Sequence, residues 1–140
     1  MSKLFPLTLL VAATCLLALS GPALADGNCD REPMTFKLKI KVRDDKPIGV
    51  TYRGGDAEEL LVCLNDQIEW KLIDPASAAE FFIDFKSGAP FGGDPNRRAM
   101  NGKVLVTIGG PDVTPGTSYK YDIGIVDGGV WDPRIIISEP

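Results

Sequence analysis

The chain has 140 residues, a net charge of −4 and no histidine. Taken as a whole, an acidic chain has no electrostatic reason to seek nucleic acid or anionic lipid. The absence of imidazole excludes histidine-based acid–base catalysis and histidine ligation of metals.

Residues 1–25 have the three parts of a cleavable secretory signal. Lys3 is the positive start, Leu4 to Leu19 is almost wholly apolar, and Ser20-Gly21-Pro22 breaks the run. Ala23-Leu24-Ala25 then offers the small residues a peptidase reads. The run is shorter than the about 20 residues a membrane helix needs, so no integral span is expected after processing. Cys15 makes a poor lipidation site, because Ala12-Ala13-Thr14 is a poor lipobox and Leu16 to Leu19 stays apolar. Cleavage after Ala25 predicts one domain over residues 26–140, periplasmic or secreted, with a net charge of −5 once Lys3 is gone. Its remaining thiols, Cys29 and Cys63, lie in an oxidising compartment without Cys-x-x-Cys spacing, so a structural disulfide is expected. On chain-entropy grounds such a bridge stabilises by roughly 3–4 kcal/mol.

The rest of the chain predicts strands. Thr35 to Val42 alternates strictly, with Phe36, Leu38, Ile40 and Val42 to one side and Lys37, Lys39 and Lys41 to a solvated one. Asp44-Asp45-Lys46-Pro47 turns, Ile48 to Tyr52 is a short strand, and Glu59 to Leu64 follows the Gly54-Gly55-Asp56 turn. Beyond the Asn65-Asp66 turn, Gln67 to Ile73 places Ile68, Trp70 and Leu72 together. Ala76 to Glu80 has room for one helical turn, and Phe81 to Phe85 aligns Phe81, Ile83 and Phe85. Lys86 to Gly102 is a long Gly/Pro loop, Lys103 to Ile108 a strand, and Gly109 to Gly116 a loop. Ser118 to Val126 is the longest strand, Asp127-Gly128-Gly129 turns, and Arg134 to Ser138 closes the chain. Seven or eight short strands between such turns predict an all-β, antiparallel Greek-key sandwich. Spacing alone admits an immunoglobulin-like sandwich as readily as any other.

Three segments resemble cupredoxins. Asn65-Asp66-Gln67-Ile68-Glu69-Trp70 resembles Gly-Asp-x-Val-x-Trp, with Asn65 in place of the glycine. Pro115-Gly116-Thr117-Ser118-Tyr119-Lys120-Tyr121 resembles the approach to the copper loop, with one extra residue, and Pro133 to Ile137 the strand that follows it. The resemblance implies a cupredoxin-like sandwich of plastocyanin or azurin type. It also implies copper-ligand positions, which fall near Glu80, on Ile123, near Val126 and near Trp131. None of these supplies an imidazole or a thiolate, so no copper and no other cofactor is expected.

The other constellations read as turns. Asp44-Asp45, Glu58-Glu59 and Asp127 with Asp132 lie beside glycine or proline, where acids serve the backbone. Asp127 to Asp132 and Asp94-Pro95-Asn96 match no calcium loop, and Gly92-Gly93 and Gly109-Gly110 precede no helix that could hold phosphate. No serine sits in a nucleophile elbow, so the chain is read as no enzyme. What remains is aromatic and charged loop material: Phe91, Arg97 and Arg98 on the long loop, and Trp131 and Asp132 near the last turn. These predict a non-catalytic module that binds an envelope or extracellular protein through its loop end. Stacking of a carbohydrate or small ligand on the loop aromatics is the alternative. Trp131 is expected to fold back over Ile123 rather than stand free.

Overall fold

A computed structural model describes residues 29–74 and 79–138. The signal-like segment 1–25 and most of the expected helical turn, 76–78, lie outside the described residues; Ala79 and Glu80 are not helical.

Alternation builds the first sheet. β1 (Thr35–Arg43) buries Phe36, Leu38 and Ile40 and exposes Lys37, Lys39 and Lys41, as a period of two requires. It turns at Asp44 and Asp45, both at positive φ, into β2 (Lys46–Tyr52). β3 (Gly55–Asp56) folds against β2, and β4 (Glu59–Val62) crosses to the other sheet. β5 (Gln67–Leu72) returns beside β1 with Trp70 opposite Leu38. β6 (Phe81–Asp84) and β7 (Asn96–Arg98) belong to the second sheet, and β8 (Lys103–Thr107) completes the first in the order β3-β2-β1-β5-β8.

The remaining strands are β9 (Ser118–Lys120), β10 (Asp122–Ile125), β11 (Val130–Trp131) and β12 (Arg134–Ile137). The strand expected over Ser118 to Val126 is therefore divided at Tyr121. Pro133 divides it. Lys120 pairs with Arg134 and Ile123 with Trp131 in one constant register, which sets Tyr121 against Pro133. A proline has no N–H to give the ladder. The Tyr121 amide still donates to the Pro133 carbonyl at 3.1 Å. The two halves thus form one long hairpin, and the second sheet runs β4, β12–β11, β9–β10, β6, β7.

Two features correct the sequence reading. The sandwich is mixed rather than wholly antiparallel, because β1–β5 and β4–β12 are parallel pairs. Between β1 and β5 the chain crosses to β4 in the other sheet, and between β4 and β12 it changes sheets repeatedly; parallel partners need such crossover connections. There are also twelve strand segments among the described residues, rather than seven or eight. Short pieces inside the expected turns and long loop find ladder partners, as β7 does against β6.

The core between the sheets is a run of packed rings. Trp70 meets Tyr121 edge-on at 5.6 Å, Tyr121 stacks on Phe85 at 4.9 Å, and Phe85 meets Phe91 edge-on at 5.3 Å. The Trp70 Nε1–H donates to the Tyr121 hydroxyl at 3.3 Å, which satisfies both buried polar atoms. Cys29 and Cys63 are joined, tying the N-terminal segment to the end of β4.

Candidate functional site

The positions that the resemblance assigns to copper ligands do come together. Ile123 on β10 lies between Ile83 on β6 and Trp131 on β11, and the Val126 amide donates to the Glu80 carbonyl at 2.9 Å. Their chemistry does not fit copper. Ile123 and Ile83 are fully buried hydrocarbon, Glu80 is an exposed carboxylate, and neither Val126 nor Trp131 offers a lone pair for ligation. Among the described residues no three cysteine, aspartate or glutamate side chains converge as a metal site would require.

Ladder register locates the candidate interaction residues. Residues directly opposite in a sheet share a face, so Arg97, Ile83, Ile123 and Trp131 form one inward row across β7, β6, β10 and β11. Arg98, Phe82, Gly124 and Val130 form the outward row beside it. Arg97 and Trp131 therefore stand three strands apart, roughly 14 Å at the usual strand spacing, with β11 at the edge there because β4 pairs with β12 alone. They do not make one patch.

Each has its own surroundings. Phe91 is buried against Phe85, and the Arg97 guanidinium lies 5.1 Å over its ring while donating to the Gly92 carbonyl at 2.9 Å. This pair closes the core beneath the long loop, and Arg98 points outward and is exposed. Trp131 is half-buried, and its Nε1–H is buried with no hydrogen-bond partner among the described residues. Asp132 is exposed beside it. The rings that a stacked sugar would need, Phe91, Tyr119 and Tyr121, are inside the core.

Trp131 belongs to the end of the sandwich formed by the β1–β2 and β10–β11 turns. There the Gly129 amide donates to the Asp45 carbonyl at 2.9 Å, bridging the two sheets. A Cβ on Gly128 would overlap that carbonyl, and one on Gly129 would meet the Lys46 side chain. Asp44, Asp45, Asp74 and Asp127 are exposed around this end. So are Ile48, Ile73 and Val130, with Ile73 half-exposed at 51%. A shallow groove between Ile40, Val42, Leu72 and Ile73 opens against Asp44, Asp45 and Asp74. This end can offer aliphatic contact within a charged rim, where exposed Arg43 and Lys46 flank the acids.

The opposite end holds a residue that the sequence reading passed over as part of a turn. Asp66 is fully buried. It accepts two hydrogen bonds from the Arg31 guanidinium at 2.7 and 2.8 Å, one from the Met34 amide at 3.0 Å and one from the Cys63 amide at 2.8 Å. Burial alone would raise its pKa, but these donors and the Arg31 charge outweigh it and hold the carboxyl below its ordinary 3.8. The retained aspartate of the Asn65–Trp70 motif was the available signal. Asp66 joins the N-terminal segment to the β4–β5 turn, beside the disulfide, and its role is structural.

No family model matches the sequence, and no curated protein matches it. Among solved structures, the chain is similar to a pseudoazurin from Sinorhizobium, with 18% identity, 76% of each chain covered and a TM-score of 0.46. It is also similar to variants of rusticyanin, with 12% identity, 76% of this chain and 79% of the other covered, and a TM-score of 0.40.

Proposed function

We propose that the mature chain is an exported, non-catalytic, cupredoxin-like module that binds a protein partner through the end of the sandwich carrying the β10–β11 turn. The observation that supports it most is Trp131. Its indole lies half-buried on an edge strand with a polar N–H that finds no acceptor among the described residues, next to exposed Val130. Because that N–H is itself buried, a partner would meet the exposed part of the indole and Val130 rather than the N–H. Tryptophans at such positions recur as anchors in protein interfaces. The exposed acids Asp44, Asp45 and Asp127, interleaved with Arg43 and Lys46, give this end a charged rim around an apolar contact. Export follows from the signal-like leader, and the disulfide suits an oxidising compartment.

The test is site-specific photocrosslinking in the native host. A photoreactive side chain at position 130 is expected to give a discrete protein adduct. One at Ser118, exposed on β9, is expected to give none. Adducts at both positions, or at neither, would sink the assignment of the partner to this end.

A further inference from the structure

We propose that the outer face of β2, β1, β5 and β8 is a docking surface for an anionic lipid bilayer. Register puts the lysines in two crossing lines. Lys37, Lys39 and Lys41 run along β1, roughly 6.6 Å apart at the usual rise. Lys39, Lys71 and Lys103 lie directly opposite one another across β1, β5 and β8, roughly 4.8 Å apart. Arg53 extends the patch past β2, where Thr35, Lys37, Lys39 and Thr51 line a shallow groove with it. Against these cations the face carries Glu69, nearly buried beneath Lys71 at 3.5 Å and Lys103 at 3.9 Å, and Asp56 at its margin.

The whole-chain charge of −4 conceals this segregation. Among the described residues, Lys37, Lys39, Lys41, Arg53, Lys71 and Lys103 face Glu69 and Asp56 alone, so this face is locally basic, although other cations such as Arg98, Lys120 and Arg134 lie on the second sheet. A grid extended in two directions complements a charged surface better than a linear polymer, which could follow only one line of it. The chemistry of the cations decides between a membrane and an acidic protein. Protein interfaces are depleted in lysine and need a buried aromatic or apolar centre. Among the described residues this face has no such centre, only Leu105, half-exposed opposite Glu69. Lysines are flexible point charges that suit mobile headgroup phosphates, and clusters of this size bind anionic leaflets. The face lies along the first sheet and Val130 on the second, so the two proposals are tested at different positions.

The test is co-sedimentation of the mature protein with phosphatidylcholine vesicles, with and without phosphatidylglycerol. Binding is expected only with phosphatidylglycerol and is expected to vanish when salt shortens the screening length to a few ångström. Lys39→Glu with Lys71→Glu should weaken it at least about tenfold, with Lys39→Gln and Lys71→Gln intermediate. Lys120→Glu, on the other sheet, should leave it intact, and melting curves should show every variant folded. Equal binding to neutral vesicles, no binding at low salt, or unchanged binding by the double reversal would overturn the proposal. So would preference for soluble polyglutamate over the vesicles, which would give the face to an acidic protein instead. Crosslinking at position 130 is unaffected by any of these results.

Discussion

Asp66 shows how one residue can hold the end of a sandwich. A carboxylate that loses all its water is stable only when charged donors replace that water, and here Arg31 and two backbone amides do so. Its folded pKa is depressed, so it stabilises the fold at pH values above the unfolded value near 3.8. That contribution is lost as pH falls through the lower folded value. Asp66→Asn is expected to cost about 3 kcal/mol at neutral pH, because Arg31 is left facing a neutral amide. It should also flatten the loss of stability below about pH 4. Urea unfolding of both proteins at neutral and acid pH measures this directly. An unchanged acid limb would show that Asp66 is not the titrating group.

At the scale of elements, the joining of the sheets at the β1–β2 and β10–β11 turns is steric as well as hydrogen-bonded. Gly128 has no Cβ because the Asp45 carbonyl occupies that space, and Gly124 has none because the Phe82 ring lies across it. Gly128→Ala is expected to destabilise by about 1–3 kcal/mol, since backbone rather than a flexible side chain must move. Gly49→Ala is the matched control: nothing lies within 4 Å of the point where its Cβ would stand, and its stability should stay near the parent's. Thermal unfolding of the pair checks the difference, and equal melting temperatures would remove the steric account of the bridge. The same scale shows where the sequence misleads. Ser118 to Val126 alternates without a break, yet Pro133, on the strand opposite, decides where its ladder is interrupted.

The whole molecule is an all-β sandwich with a hydrocarbon centre where the sequence resemblance places the thiolate. Ile123 is packed by Ile83 and flanked by Trp131, and the chain has no imidazole to offer. Copper added to the mature domain is therefore expected to leave no thiolate charge-transfer band, to be removed by desalting, and not to raise the melting temperature. Stoichiometric copper retained with an intense visible band would overturn both the ligand comparison and the non-redox reading. The disposition of charge is also a property of the whole molecule. The sum over the chain argues against anionic surfaces, while the folded arrangement sets five lysines on one face.

Local pattern alone determined several things about this protein. The alternation of Phe36 to Val42 specified both faces of β1, and the cysteine count specified the bridge. These were legible because each depends on residue type or on neighbours two positions apart. Tertiary structure decided the rest. Alternation says which side chains share a face but not which strand lies alongside, so the parallel β1–β5 and β4–β12 pairs could not be read from it. The same ignorance of neighbours hid the buried Asp66, reached by Arg31 from 35 residues away, and the inward turn of Phe91 beneath Arg97. It also hid the union of Lys39, Lys71 and Lys103 in one row. Register between distant strands is set by how the two faces pack, and only the folded chain contains that information.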